Sequence, residues 1–81
     1  MSYLKAKKLT ELLTSKNMSI AIAESCTGGS LSSSLTSIPG ASSYFNCGFI
    51  TYSNESKINM LNVDSQTIEL FGAVSEKVAY E

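Results

Sequence analysis

The chain has 81 residues, of which 43% are hydrophobic and 16% charged, and its formal net charge is -1. These values are typical of one small globular domain, and they exclude a disordered chain and a nucleic-acid-binding surface, which needs concentrated basic residues. A domain of this size buries only about 60 to 65% of the surface that its unfolded chain exposes, so we expect marginal stability.

Histidine is absent. Serine-histidine-aspartate catalysis, cysteine-histidine catalysis and the usual zinc sites are therefore excluded, which leaves lysine, tyrosine or a carboxylate as a protein base. Cys26 and Cys47 lie in no CxxC motif, and we expect both to be reduced. No apolar stretch reaches the roughly 18 residues of a membrane span, and the N-terminus lacks the apolar core of a signal peptide. We predict a cytoplasmic protein that binds neither a membrane nor a metal ion.

The first 25 residues predict a helix followed by a strand. Residues 2 to 15 repeat apolar side chains at helical spacing, with Leu9, Leu12 and Leu13 on the core face. In MSIAIAES, residues 18 to 25, large side chains alternate with small ones. This alternation is typical of a strand with a helix packed closely over its small face.

The middle of the chain predicts a helix and a second strand. After the glycine pair of AESCTGG, a helical stripe stops before Pro39-Gly40. Its apolar positions are Leu31, Leu35 and Ile38. The segment YFNCGFITY, residues 44 to 52, has the aromatic and β-branched composition of a strand, in which Gly48 marks a bulge or a close approach.

The last third predicts three short helices. Ser53 is placed to cap a helix through Leu61, the segment SQTIELF forms the next helix, closed by Gly72, and Ser75 caps a final helix. Residues 1 to 81 are thus predicted to form a single α/β domain with helices layered on a small sheet. Two strands do not make a closed three-layer core, so we expect an oligomer, a second polypeptide or a piece of a larger domain.

The turn AESCTGG, residues 23 to 29, has two interpretations. A strand that leads through two glycines into a helix directs backbone N–H groups at a phosphate or a developing oxyanion. In the structural interpretation, Ser25 or Thr27 is the N-cap of the helix and the glycines permit tight packing. The turn matches neither the Walker A motif nor GxGxxG, and spacing alone leaves both interpretations open.

The segment YSNESK contains the second candidate group. If Ser53 caps its helix, Lys57 falls in the first turn, near the positive end of the helix dipole, where the charged ammonium is disfavoured. A neutral lysine amine accepts a proton from a serine hydroxyl, and Tyr52 would relay or stabilise that proton. The alternative is an ordinary surface lysine paired with Glu55 or solvent.

Three ordered motifs, AESCTGG, SIPGASSYFNCGFITYSNESK and FGAVSEKVA, closely resemble the CinA C-terminal domain family. The resemblance extends from about residue 5 to residue 81, and stand-alone members of this family are nicotinamide-nucleotide amidohydrolases. It implies hydrolysis of the carboxamide of nicotinamide mononucleotide, within the pyridine nucleotide cycle, to nicotinate mononucleotide and ammonia. Ser25 would be the nucleophile, Lys57 its base and Tyr52 an assisting residue.

The resemblance also implies a substrate pocket. Thr27, Gly28 and Gly29 match family positions around the serine, and Ser42 matches a pocket hydroxyl that would bind the substrate or compete as nucleophile. We favour Ser25 as the nucleophile because of its place at the strand-to-helix turn. No metal or organic cofactor is implied.

Family domains are about twice as long as this chain. Their second half contributes a glycine loop and a basic residue near the substrate phosphate, and neither is found here. The chain is therefore expected to be an incomplete CinA C-terminal-like domain that forms a homo-oligomer or associates with a chain supplying the second half. The alternative to an enzyme is an inactive remnant, or a nucleotide-binding or interaction module, of a competence-damage-inducible protein.

Overall fold

The computed structural model describes all 81 residues, Met1 to Glu81. Residues 1 to 50 form one compact unit and residues 51 to 81 a second. The elements, in chain order, are α1 (Tyr3–Ser15), β1 (Ile20–Glu24), α2 (Ser30–Thr36), a 3₁₀ helix (Ala41–Ser43), β2 (Phe45–Ile50), α3 (Asn54–Leu61), α4 (Ser65–Phe71) and α5 (Glu76–Tyr80). None of the helices has the length and apolar character needed to cross a membrane. The predicted α/β class is confirmed.

The first unit contains a parallel sheet of two strands, β1 and β2. Its register shifts after Ile20, which pairs with Phe45, because Ala21 pairs with Cys47 and leaves Asn46 as the extra residue of a bulge. The bulge therefore lies before Gly48. Gly48 itself marks a close approach, since a Cβ atom there would lie 3.0 Å from the Ser32 hydroxyl of α2.

The core of the first unit lies on one face of this sheet. Its buried residues are Ala6, Ile22, Leu35 and Ile38, with Leu9, Ile20, Leu31 and Phe45 packed against them. The predicted core face of α1 is wrong at Leu12, which is 52% exposed. The buried stripe of this helix is Ala6, Thr10 and Leu13, and Leu12 lies about 100° around the helix from Leu13.

The sheet also differs from prediction at β1. Ala21 and Ala23 are exposed, so the helices of this unit pack on the face of Ile20 and Ile22 and not on the small face. The large side chains bury more apolar area there, which explains the choice of face. The strand begins at Ile20 and not at residue 18, because the Met18 N–H donates to the Leu13 carbonyl at the end of α1.

The second unit consists of three capped helices. As predicted, Ser53 caps α3 by accepting a hydrogen bond from the Ser56 N–H at 3.0 Å, and Ser75 caps α5 by accepting from Val78. Gly72 closes α4 with a positive φ of 82°. The core of this unit is Val63, Ile68 and Val78, with Ile58, Leu61 and Ala73 packed around it.

Candidate active site

Ser25 lies directly after β1, in a turn with a fixed backbone. The strand ends at Glu24, as predicted, and the Gly28 N–H donates to the Ser25 carbonyl at 3.0 Å. Gly28 and Gly29 have φ angles of 65° and 110°, which glycine adopts without the strain that a Cβ atom causes. The turn therefore fixes the backbone of Ser25 at the end of the strand.

Glu24 organises this turn. One oxygen of its carboxylate accepts hydrogen bonds from the Thr27 hydroxyl at 2.9 Å and the Leu31 N–H at 2.7 Å. The other oxygen accepts from the Ser32 N–H at 2.9 Å. A further hydrogen bond from the Ser32 hydroxyl has the largest effect on the carboxyl. Together these bonds lower the pKa of Glu24 from 4.5 to about 2, against the opposing effect of burial.

Glu24 also replaces the predicted helix cap. The residue at the N-cap position of α2 is Gly29, which has no side chain to offer, and the helix N–H groups are bonded to Glu24. The expectation that Ser25 or Thr27 caps this helix is therefore wrong. The feature of the sequence that could have indicated this cap is the single acidic residue, Glu24, at the end of an otherwise apolar strand.

The bonds to Glu24 restrict where an oxyanion can be bound. The Leu31 and Ser32 N–H groups point at the carboxylate and are occupied by it. Backbone donors for an oxyanion at this turn must therefore come from the turn itself and not from these two positions of α2. The hydroxyl of Thr27 donates to Glu24, which fixes its orientation and leaves its oxygen as an acceptor.

Ser42 lies in a different element from Ser25. It is the middle residue of the 3₁₀ helix, which follows Gly40, and it is exposed. Within the first unit, the structure brings Ser25, Thr27, Gly28 and Gly29 together in one turn.

Lys57 lies in the first turn of α3, as predicted, and only 7% of its surface is exposed. Its N–H donates to the Ser53 carbonyl at 3.2 Å, and its amine Nζ donates to the Tyr52 carbonyl at 3.0 Å. The alternative of an ordinary surface lysine is therefore wrong. The Tyr52 side chain is 71% exposed, so the observed contact between these two residues runs through the Tyr52 backbone.

The comparisons with known proteins agree on one family. The family model described as the CinA C-terminal domain matches residues 3 to 81. A CinA-like protein of Chlorobium limicola is 57% identical over 70 residues, which are 86% of this chain and 16% of that protein. A CinA-like protein of Chloroherpeton thalassium is 58% identical over 71 residues, which are 88% of this chain and 17% of that protein.

Solved structures extend the match to the fold. The competence/damage inducible protein CihA of Agrobacterium tumefaciens superposes with a TM-score of 0.94 at 38% identity, covering 96% of this chain and 47% of that one. A competence-damaged protein (CinA) superfamily protein of Escherichia coli gives a TM-score of 0.88 at 36% identity, covering 91% and 43%. The chain thus spans less than a fifth of these curated relatives and about half of these solved ones.

Proposed function

Because the chain belongs to the CinA C-terminal domain family, we propose that it is an amidohydrolase acting on the carboxamide of nicotinamide mononucleotide. The products are nicotinate mononucleotide and ammonia. The observation that carries the proposal is the burial of Lys57, which is 7% exposed. Lysine side chains are rarely buried to this extent, and an amine that its surroundings hold in a fixed position can serve as a general base.

The proposed reaction has two steps. The Ser25 hydroxyl attacks the carboxamide carbon while the Lys57 amine takes the hydroxyl proton. Collapse of the tetrahedral intermediate breaks the carbon–nitrogen bond, and Lys57 returns the proton to the departing ammonia, which leaves an ester on Ser25. Water, deprotonated by the same amine, then attacks the ester and releases the carboxylate and the serine. This chemistry needs no metal or organic cofactor.

The remaining residues have supporting roles in the proposal. Thr27, Gly28 and Gly29 hold the substrate around the nucleophile, Ser42 contributes a further hydroxyl, and Tyr52 assists proton transfer. The geometry of the turn supports Ser25 in particular, because the Glu24 bonds and the two left-handed glycines fix the backbone on either side of it. A fixed nucleophile loses little conformational entropy when the substrate binds.

Ammonia release from nicotinamide mononucleotide by the purified chain tests the proposal. We expect Ser25→Ala and Lys57→Met to lose activity by at least about 100-fold, which is typical of removing a nucleophile or general base. Methionine keeps the apolar length of lysine and removes only the amine. Ser42→Ala distinguishes the two serines, because it should reduce substrate binding and leave the maximal rate largely intact.

Cys26→Ala is the matched control, since Cys26 is the exposed neighbour of Ser25 and has no role in the proposed reaction. Loss of activity in Cys26→Ala with activity retained in Ser25→Ala would contradict the assignment. If the folded wild-type chain binds the nucleotide in calorimetry and releases no ammonia, the amidase proposal fails and the alternative of a nucleotide-binding module takes its place.

A further inference from the structure

Thr27 holds its hydroxyl in one hydrogen-bonding state beside the candidate nucleophile. The hydroxyl donates to a carboxylate oxygen of Glu24 at 2.9 Å. The hydrogen bonds that Glu24 accepts hold the pKa of its carboxyl at about 2, so the group is ionised at neutral pH. An ionised carboxylate only accepts hydrogen bonds, and the proton between the two side chains therefore belongs to Thr27. While this bond is made, the Thr27 oxygen acts towards a ligand only as an acceptor.

The contact between Thr27 and Glu24 is supported on the Glu24 side. The same carboxylate oxygen accepts from the Leu31 N–H at 2.7 Å, and the other oxygen accepts from the Ser32 N–H at 2.9 Å. Glu24 is only 8% exposed, and rotation of its side chain would leave both backbone groups without their partner. A hydroxyl that donates to a fixed, charged acceptor is polarised, which makes its oxygen a stronger acceptor.

Thr27 also lies close to the position of the reacting group. Ser25 and Thr27 belong to one turn, which the Gly28 N–H closes by donating to the Ser25 carbonyl at 3.0 Å. Cα atoms two residues apart are separated by at most about 7 Å, so a small group held at Ser25 can be reached by the Thr27 side chain. Thr27 is exposed, which leaves this side chain accessible to a ligand.

We propose that Thr27 selects a carboxamide over a carboxylate at this turn, by accepting a hydrogen bond from the carboxamide NH2 group of the substrate. This role of Thr27 rests on the proposed function, because it concerns the same site and the same reaction. A primary amide has two N–H donors, whereas an ionised carboxylate has only acceptors. The product therefore places an acceptor opposite the Thr27 oxygen and loses the bond that held the substrate. Thr27 thereby favours binding of the amide and release of the acid.

Calorimetric titration with nicotinamide mononucleotide and nicotinate mononucleotide measures this selection. Every chain in the titrations carries Ser25→Ala, so that no ligand is turned over. We expect the chain with Thr27 to bind the amide about tenfold more tightly than the acid at pH 7, which is the effect of one hydrogen bond. Thr27→Val keeps the shape of the side chain and removes the hydroxyl, so the two dissociation constants should become nearly equal. Thr27→Ser keeps the hydroxyl and should retain the preference.

The methyl ester of nicotinate mononucleotide separates the hydrogen bond from the charge. The ester is neutral, like the amide, but has no N–H group. The chain with Thr27 should bind the amide about tenfold more tightly than the ester, and Thr27→Val should bind the two about equally. Thr36→Val is the matched control, because Thr36 is an exposed threonine of α2 whose hydroxyl donates to the Ser32 carbonyl at 2.8 Å. This control should keep the preference for the amide.

Two results would overturn the role of Thr27 alone. The first is a preference for the amide that Thr27→Val leaves as large as Thr36→Val does, because the hydroxyl would then serve only the structure of the turn. The second is an ester bound as tightly as the amide, because charge alone would then explain rejection of the acid. This second comparison needs no variant of Thr27, so it decides the question even if circular dichroism shows that Thr27→Val is unfolded.

Ammonia release by the chain that retains Ser25 distinguishes these results from failure of the proposed function. Selection that depends on Thr27 in a chain that releases no ammonia would support the role of Thr27 and contradict the amidase proposal. Ammonia release with no dependence of selection on Thr27 would have the opposite meaning. If the folded chain binds neither nucleotide, both proposals fail.

Discussion

Glu24 shows how one side chain can determine a local structure. It ends an apolar strand, and its carboxylate accepts from Thr27, Leu31 and Ser32, which together define the turn and the start of α2. The role of Glu24 could not be predicted from the sequence, because its partners lie three to eight positions further along the chain. They contact the carboxylate only after the chain has reversed direction. Capping by Ser53, which involves a partner three positions along an unbroken helix, was predictable from local sequence.

The lowered pKa of Glu24 predicts an acid-sensitive fold. Because its pKa is about 2 in the folded chain and 4.5 without these contacts, the carboxylate stabilises the fold fully above about pH 4.5. This contribution is lost as the pH falls towards 2. Urea unfolding should therefore show Glu24→Gln to be less stable than wild type at pH 7, with the difference shrinking below pH 4.5.

Glu69→Gln is the control for this titration, since Glu69 is an exposed glutamate of α4. Substitution of an exposed side chain should change the free energy of unfolding little. The carboxyl of Glu81 also has a lowered pKa, through hydrogen bonds from Thr67 and the Asp64 N–H, but both variants retain it. A stability difference for Glu24→Gln that stays constant from pH 7 to pH 3 would contradict the assigned role.

At the scale of elements, the strand-to-helix connection depends on two glycines that are not equivalent. Gly28, with φ of 65°, has open space where a Cβ atom would lie, whereas Gly29, with φ of 110°, would place that atom 3.0 Å from Ile50 Cδ1. Gly28→Ala should cost about 1 kcal/mol, the strain of a left-handed residue. Gly29→Ala should cost more, because its φ is less accessible to alanine and Ile50 must move.

Thermal or urea unfolding of the two variants measures this difference. Gly40→Ala is the control outside the turn, because Gly40 has a φ of 85° and open space around it. Its cost should resemble that of Gly28→Ala. Equal stability of the Gly28 and Gly29 variants would show that the turn relaxes freely, and would weaken the argument that it holds Ser25 rigidly.

The helices and strands themselves were predictable because their signals are local. The limits of α3, α4 and α5 follow from Ser53, Gly72 and Ser75, each within a few residues of the helix that it bounds. Apart from the start of β1 and the N-cap of α2, the errors concern packing between elements: Leu12 is exposed, and so is Ala21. Helical spacing and strand alternation identify distinct faces, but which face is buried depends on partners distant in sequence.

In the candidate site, too, the features that depend on neighbouring residues were predictable from the sequence. Lys57 was expected in the first turn of a capped helix and is found there, and its burial distinguishes it from a surface lysine. The catalytic roles of Ser25, Lys57 and Tyr52 stay predictions, because they depend on how a substrate is held. No pattern within 81 residues specifies that arrangement.

At the scale of the whole molecule, the uncovered sheet face links stability to assembly. A chain of 81 residues at ordinary stability per residue has a free energy of unfolding of about 4 to 12 kcal/mol, and one uncovered sheet face favours the lower end. A partner that binds only the folded chain adds stability through mass action, by about 2.7 kcal/mol at one hundred times its Kd. For a domain of this size that increment raises the melting temperature by more than about 10 °C.

We therefore predict that the melting temperature of this chain rises with the concentration of the remaining half of the Agrobacterium domain. Ala23→Glu should abolish the rise if the partner covers the exposed face of the sheet that carries Ala21 and Ala23, because the variant places a charge there. Ser33→Glu, which adds the same charge at an exposed position of α2, should preserve it. The expected homo-oligomer makes the opposite prediction: the melting temperature would rise with the concentration of the chain itself and would not respond to the added half. Melting curves over a hundredfold range of each polypeptide separate the two cases, because each mode of association makes stability depend on a different concentration.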